Sequence, residues 1–215
     1  MASLEELWGK LKAAEGSKSL LKKNLTETIY NELMDKKTSC GGTLAECIRS
    51  GCENTDSGTG IYASDPEAYD TFGAVLIPVI KDYHKVTEVT HPPCNFGNLD
   101  DFGDLDPENK FIVSTRVRVG RSHKSFGFPP TCNKEDRIKM EELCKGALDS
   151  LEGEHKGTYY PLVGMSDQVK EQLTADHFLF NDKDRQRNFH NPNKTFLIWV
   201  NEEDHLRIIS MEMVR

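Results

Sequence analysis

The chain lacks several common sequence features, and each absence excludes a class of protein. Its six cysteines form no C-x-x-C pair and lie at irregular spacings, which disfavours a zinc site or a disulfide framework and predicts reduced thiols. No apolar run approaches the ~18 residues of a membrane span, and the N-terminus MASLEELWGK has neither a basic segment nor an apolar core. We therefore expect a cytoplasmic protein without a membrane partner.

The chain also lacks an excess of positive charge, with 27 Lys and Arg residues against 35 Asp and Glu residues. The formal net charge of -8 argues against nucleic acid as the main partner, because binding a phosphate backbone requires a net basic surface. A small anionic ligand remains compatible with this charge. With 215 residues, 37% apolar and 29% charged, the chain is long enough for one large or two small globular domains.

The first part of the chain is predicted to be helical. Leu4, Leu7, Trp8 and Leu11 recur at helical spacing, and Thr43 is placed to cap a second helix. Asp65 and Pro66 are typical of a helix start, and the apolar positions that follow continue to Ile80, with a bend expected at Pro78. Between these helices lies a stretch rich in turn-forming residues, 51–62. It is either a flexible loop or a nest of backbone N–H groups for a carboxylate or phosphate.

A change in pattern marks a domain boundary. Segment 91–110 holds three prolines and no helical or strand period, which predicts a linker between a domain at 1–90 and a second at 111–215. The second domain is predicted to hold a strand at 111–119, a helix capped by Asn133, a shorter helix from Ser166 and an antiparallel hairpin at 195–200 and 206–213. These elements predict an α+β fold, with a small all-helical N-terminal domain before an antiparallel sheet flanked by helices.

Strand 111–119 carries the most informative pattern. Alternation places Ser114, Arg116 and Arg118 on one face, opposite Val113, Thr115, Val117 and Val119. Guanidinium groups pair with phosphate oxygens bidentately and stay charged, so this face suits a phosphorylated ligand. The alternative is a solvated strand face with two ordinary surface arginines.

The predicted hairpin has an acidic turn formed by Glu202, Glu203 and Asp204, followed by Arg207. A carboxylate at such a turn accepts two N–H bonds from a planar guanidinium or takes its proton, although most acidic turns are only solvated. His177 is either a packed side chain or a group that stacks on a nucleotide base.

Taken together, six ordered motifs resemble the phosphagen (ATP:guanido) kinase family, in particular the members that phosphorylate arginine. The motifs are CGGTLAECI at 40–48, DSGTGIY at 56–62, VSTRVR at 113–118, GTYYPL at 157–162, DHFLF at 176–180 and WVNEEDHLRI at 199–208. The resemblance implies a helical N-terminal domain and a catalytic domain with an antiparallel sheet. It also implies reversible transfer of the γ-phosphoryl group of ATP to the guanidino nitrogen of L-arginine, with Mg²⁺ bound through ATP or ADP.

The resemblance also implies roles for individual residues. A substrate-specificity loop would hold the amino-acid end of arginine, and it comprises Ser57, Gly58, Thr59, Gly60, Ile61 and Tyr62. Glu203 would orient the guanidinium and act on it as the catalytic carboxylate. The nucleotide would contact Ser114, Thr115, Arg116, Val117, Arg118, His177 and Arg207. Asp56 and Arg185 would form a charge pair when the domains close.

The sequence departs from the family in two places. It ends at Arg215, where family members continue, and the join at 185–191 is shorter than in the family. We therefore expect slow turnover or none. We also expect an open sheet edge with uncovered Phe196, Ile198, Ile208 and Met211. The chain would then be either a monomer or self-associated through this edge. The alternatives are a non-catalytic variant that binds substrate or nucleotide or pairs with a full-length subunit, and a related kinase with another acceptor such as taurocyamine.

Overall fold

The computed structural model describes residues 2–161, 164–178 and 187–213, and the chain divides into two compact units. Unit 1 comprises Met1–Pro93 and Lys124–Cys132, and unit 2 comprises Cys94–His123 and Asn133–Arg215. Contacts thus place 124–132 with the helical unit, whereas the sequence pattern assigned it to the second domain. No helix in the described ranges is long and apolar enough to cross a membrane.

Six helices build unit 1 around one apolar core. They are α1 (Leu4–Ala13), α2 (Leu20–Asn24), α3 (Glu27–Leu33), α4 (Leu44–Glu53), α5 (Ala68–Thr71) and α6 (Gly73–His84). The predicted spacing in α1 is confirmed, since Leu7 and Leu11 are buried in the core. Thr43 is the N-cap residue of α4, as predicted, and its backbone N–H and hydroxyl donate hydrogen bonds to the Glu46 carboxylate.

The helix predicted from Asp65 to Ile80 is in fact two helices. Asp65 caps the first by accepting a hydrogen bond from the Ala68 N–H at 3.1 Å. The backbone then leaves helical geometry at Phe72, whose φ and ψ are -107° and 21°, and whose side chain is fully buried. The Phe72 ring is buried in the core at the point where the helix breaks. The apolar spacing of the sequence does not reveal this break. Pro78 lies inside α6, which continues to His84.

Unit 2 contains a five-stranded antiparallel sheet in the order β1-β5-β4-β3-β2. The strands are β1 (Ser114–Arg121), β2 (Thr158–Tyr160), β3 (Arg187–His190), β4 (Phe196–Val200) and β5 (Leu206–Met213). Two helices accompany them, α7 (Lys134–Asp149) and α8 (Asp167–Ala175), with Asn133 and Ser166 as their N-caps. The α+β fold, the predicted hairpin and both caps are confirmed.

The sheet has two faces with different neighbours. On the first face, Leu197, Trp199 and Ile209 pack with Leu173 of α8 and with Phe178. On the second face, Glu141 of α7 accepts hydrogen bonds from Tyr159 at 3.0 Å and from Arg187 at 2.7 Å. Each face of the sheet is thus bound to one helix.

The expectation of uncovered apolar residues on the hairpin was wrong. Ile198 is only 6% exposed, and Phe196, Ile208 and Met211 are half-buried. Within the described strands, exposed apolar side chains lie on β1, where Val117 is 65% exposed. β1 pairs with the edge of β5 that faces away from β4. The other edge of β1 has no neighbouring strand in the sheet that the structure describes, so β1 is the open edge strand.

Asp106 fixes the segment that leads into β1. Its buried carboxylate accepts hydrogen bonds from the backbone N–H groups of Lys110, Phe111 and Ile112 at 2.7 to 3.0 Å. The bond from Ile112 contributes most to holding the pKa of Asp106 below its ordinary value, against the opposing effect of burial. The ionised carboxylate therefore stabilises the folded state.

We expect this contribution to depend on pH. Because the pKa of Asp106 is lower in the folded than in the unfolded chain, the stabilisation is complete above the unfolded pKa of about 4 and is lost as pH falls through the folded value. Urea unfolding of the wild type and of Asp106→Asn should show a difference in unfolding free energy that is widest near neutral pH. The exposed Asp101, changed to Asn, is the control. An Asp106→Asn difference that is constant across the titration would contradict the assignment.

Candidate functional site

Three arginines share one face of the sheet, and we call them the guanidinium face: Arg116 and Arg118 on β1, and Arg207 on β5. The register pairs Arg116 with Met211, Arg118 with Ile209 and Gly120 with Arg207. Directly opposed residues in antiparallel strands point to the same side, so these pairs put all three arginines on the face that packs against α8. The β1 positions are exposed along the whole strand. The predicted nucleotide contacts from two strands therefore lie on a common face, which is exposed at the β1 positions.

Not every predicted nucleotide contact shares this face. Ser114 lies on it, whereas Thr115 and Val117 alternate to the other side of β1. His177 follows α8 with a left-handed backbone at φ 61°, and its side chain is exposed. The assignments of these residues to the nucleotide stay predictions.

The acidic turn between β4 and β5 is fixed from both ends. Asn201 adopts a left-handed φ of 58°, and its N–H donates to the His205 carbonyl at 3.1 Å. Its side-chain amide donates to the carbonyl of Arg137 on α7 at 3.1 Å. The buried ring of His205 accepts a hydrogen bond at Nδ1 from the backbone N–H of His123 at 3.0 Å. The turn therefore has a defined shape, which is what positioning a carboxylate requires.

Arg207 is held by all three carboxylates of this turn. Its Nη1 lies 2.7 Å from Glu202, its Nη2 2.5 Å from Glu203, and its Nε 2.9 Å from Asp204. Burial alone would lower the pKa of Arg207, but hydrogen bonds to Asp204 and Glu203 and the charge of Glu202 raise it. The guanidinium is thus fixed in orientation at the edge of the guanidinium face.

The three carboxylates differ in exposure. The Glu202 side chain is 4% exposed, that of Asp204 45%, and that of Glu203 66%. Glu202 also accepts the backbone N–H of Glu203 at 2.8 Å. Glu202 is therefore a fixed support, while Glu203 presents its carboxylate to solvent, as an acceptor-binding group must.

Gly120 gives Asp204 the room to reach Arg207. A Cβ built on Gly120 would lie 3.0 Å from Oδ2 of Asp204, closer than nearly all ordinary Cβ contacts. The acidic turn was visible in the sequence, but roles for Gly120, Glu202 and Asp204 were not, because the different burial of the three carboxylates is a property of the folded turn.

In unit 1, the predicted substrate-specificity loop is anchored through its carbonyl groups. The carbonyls of Gly58 and Thr59 accept the N–H groups of Leu20 and Leu21 at the start of α2, and Gly60 accepts the N–H of Gly51 in α4. The loop is therefore bonded to α2 and α4 at three consecutive carbonyl groups.

The same loop leaves donors for a ligand. Among the residues that the structure describes, no acceptor bonds the backbone N–H groups of Gly58, Thr59, Gly60 and Ile61. The Ser57 N–H donates to Asn54, Ile61 is buried, and Tyr62 is 58% exposed. Consecutive free N–H groups beside an exposed phenol are compatible with binding a carboxylate. Asp56 lies at the start of this loop, but Arg185, its predicted partner, lies outside the described residues.

The six cysteines differ in burial, with Cys40 and Cys94 exposed and the other four buried. The structure describes all six, and each is a free thiol, in agreement with the sequence prediction. Burial raises the pKa of Cys47 and of Cys52 to about 11, so both stay protonated at neutral pH and are poor nucleophiles.

Comparison with known proteins gives consistent matches in both units. Residues 15–81 match the family model of the ATP:guanido phosphotransferase N-terminal domain, and residues 139–214 match that of the C-terminal catalytic domain. The chain is 60% identical to an arginine kinase of Liolophura japonica and 57% identical to one of Haliotis madaka. These alignments cover 99% of this chain but only 65% and 64% of the two relatives.

Solved structures agree with this assignment. A taurocyamine kinase from Schistosoma mansoni, with bound transition state analog components, matches with a TM-score of 0.86 and 42% identity, covering 99% of this chain and 32% of that one. A lombricine kinase structure matches with a TM-score of 0.84 and 32% identity, covering 94% of this chain and 61% of that one. With both domain models matched in order and the sheet and helices in place, the chain belongs to the ATP:guanido phosphotransferase family.

Proposed function

We propose that this chain acts as an arginine kinase-like phosphotransferase, which reversibly transfers the γ-phosphoryl group of MgATP to the guanidino nitrogen of L-arginine. The observation that carries the proposal is the guanidinium face, where three arginines from two strands share one side of the sheet and Arg207 contacts the exposed carboxylate of Glu203. The relatives named as arginine kinases support arginine as the acceptor.

The guanidinium face suits the nucleotide. Phosphoryl transfer proceeds through a loose transition state whose negative charge spreads over the phosphate oxygens, so catalysis consists of positioning and charge neutralisation. Arg116 and Arg118 supply two always-charged forks on an exposed strand, and Arg207 supplies a third in a fixed orientation. Mg²⁺ would be bound through the phosphates of the nucleotide.

Glu203 suits the acceptor. A carboxylate next to a guanidinium orients its planar face by two N–H bonds and takes up the proton that the attacking nitrogen loses. Glu203 already binds one guanidinium, that of Arg207, with short geometry. Within unit 1, the free N–H groups of the substrate-specificity loop suit a carboxylate, as the acid group of an amino acid supplies.

The acceptor has one competing identity. The structural match to a taurocyamine kinase favours a test of taurocyamine, whose sulfonate replaces the carboxylate of arginine. Both acid groups carry one negative charge and accept hydrogen bonds from backbone N–H groups, so the loop backbone does not distinguish them by charge. The competing identity is therefore resolved by comparing the two acceptors.

The test is a coupled assay of the purified chain with MgATP and either acceptor, together with calorimetric titration of ADP with Mg²⁺ and of arginine. We expect both ligands to bind, and phosphoarginine to form faster than phosphotaurocyamine. Binding of both ligands without transfer would establish the non-catalytic alternative. If neither ligand binds, the proposal is wrong.

A further inference from the structure

The side chain of Lys22 caps the C-terminal end of α1. Its Nζ donates hydrogen bonds to the carbonyls of Leu11 and Ala14 at 2.8 Å and to the carbonyl of Lys12 at 3.1 Å. These carbonyls belong to the last turn of α1 and to its C-cap residue, where a helix leaves acceptors unsatisfied and favours a positive charge. A lysine ammonium has three N–H donors, and α1 engages all three. Because Lys22 itself belongs to α2, its side chain joins the two helices.

The first turn of α2 holds the substrate-specificity loop. The N–H of Leu20 donates to the carbonyl of Gly58 at 2.9 Å. The N–H of Leu21 donates to the carbonyl of Thr59, also at 2.9 Å. A helix leaves such N–H groups without an internal acceptor, and here the loop supplies the acceptors. With only five residues, α2 depends on its contacts for its position, and the Lys22 side chain provides the polar ones to α1.

Holding these carbonyls also sets the direction of the free N–H groups in the loop. In a trans peptide, the C=O of one residue and the N–H of the next lie in one plane and point in opposite directions. No peptide bond in the described part of the chain is cis. The bonds from α2 to the carbonyls of Gly58 and Thr59 therefore turn the N–H groups of Thr59 and Gly60 away from α2. The donors that suit an acid group thus take their direction from α2.

We propose that Lys22 is a positioning residue for the acid group of the acceptor. It does not touch the ligand. It fixes α2 to the end of α1, and α2 fixes the direction of the Thr59 and Gly60 N–H groups. Without the ammonium, α2 keeps its apolar attachment through the buried Leu21 but loses its polar attachment to α1, and the loop donors lose their common direction. The inference rests on the proposed function, since it requires that the acid group of an amino acid binds this loop.

The test compares arginine with agmatine, which has the same guanidinium group and carbon chain but no carboxyl group. Because only the acid group uses the loop, the ratio of the two affinities measures how well the loop N–H groups are placed. In Lys22→Met, calorimetric titration should show arginine binding roughly 10-fold more weakly, the loss of about one hydrogen bond to a charged group. Agmatine and ADP with Mg²⁺ should bind as they do to the wild type. A lysine with only a structural role would change all three affinities together or none of them.

The neighbouring lysine supplies the matched control. Lys23 belongs to the same helix, and its side chain is 65% exposed in an ion pair with Asp82, so Lys23→Met should keep the wild-type ratio. Lys22→Arg keeps the charge and the N–H donors and should restore most of the preference for arginine. If Lys22→Met does not fold, Lys22→Gln replaces it. The glutamine amide keeps two N–H donors, so the ratio should fall by a smaller factor.

The outcomes distinguish this inference from the proposed function. If the wild type prefers arginine to agmatine and Lys22→Met keeps that preference, the role of Lys22 is refuted while the proposed function stands. An equal loss in Lys23→Met would attribute the effect to charge alone and would also refute it. If the wild type binds arginine and agmatine equally, the loop does not recognise the acid group, and the inference is wrong. If the wild type binds neither arginine nor ADP, the proposed function fails and this inference fails with it.

Discussion

Replacement of Gly51 by alanine should disrupt the substrate-specificity loop and destabilise unit 1. A Cβ at this position of α4 would lie 2.3 Å from the carbonyl oxygen of Gly60 and 2.6 Å from its Cα, both backbone atoms. The Gly51 N–H also donates to that carbonyl at 3.0 Å. Because the clashing atoms belong to the backbone, no flexible side chain can move aside to relieve the overlap. We expect a loss of about 1 to 3 kcal/mol in the free energy of unfolding, as for other overpacked sites.

The same substitution should weaken arginine binding. Gly60 has a φ of 79°, and its position sets that of the free N–H groups around it, so a displaced Gly60 moves the donors predicted to bind the amino acid. Urea unfolding and calorimetric titration with arginine measure the two effects. Gly9→Ala in α1 is the matched control, since no atom lies within 4 Å of its Cβ and alanine there should stabilise the helix by roughly 0.5 to 1 kcal/mol. Wild-type stability and affinity in Gly51→Ala would contradict the loop geometry.

Replacement of Arg118 by methionine should reduce affinity for ADP with Mg²⁺ by about 10-fold to 100-fold. Hydrogen bonds to charged groups contribute roughly 1.5 to 3 kcal/mol each, and Arg118 is assigned such bonds to phosphate. The strand is exposed along its length, so the substitution should leave the unfolding free energy nearly unchanged. The loss should shrink as ionic strength rises, because screening weakens the contact in the wild type.

The strand itself supplies the control for this experiment. Arg121 belongs to β1 and carries the same charge, but the register pairs it with Leu206 and puts it on the opposite face from Arg118. Arg121→Met should therefore bind ADP like the wild type. Equal losses in both variants would show that the chain recognises only total charge, and the guanidinium face would not be a specific site.

Local patterns predicted most of the fold. Capping residues such as Thr43 and Asn133 determined helix starts from a few neighbouring side chains, and the hairpin followed from two β-rich runs around a polar turn. Alternation along β1 placed Arg116 and Arg118 together because strand geometry has a fixed period. These features depend on short-range chemistry, which a single sequence displays.

Features that depend on distant contacts were not predictable in the same way. The pairing of β1 with β5 joins residues about 90 positions apart, and it determines that Gly120 faces Arg207. Ile198 lies on β4, between β3 and β5, and is buried where we expected exposure. The burial of the Glu202 side chain and its contact with Arg207 likewise belong to the folded sheet and do not follow from local sequence.

The segment 124–132 has a consequence for the order in which the chain acquires its structure. Both the N–H of Phe128 and the hydroxyl of Thr131 donate to the Ser64 carbonyl at 2.8 Å, within the helical unit. The ribosome releases Ser64 long before it releases these partners, with the whole of β1 made in between. A nascent chain cannot complete its first globular body until about 130 residues have left the exit tunnel. The helical unit therefore completes its fold only after synthesis of the second unit has begun.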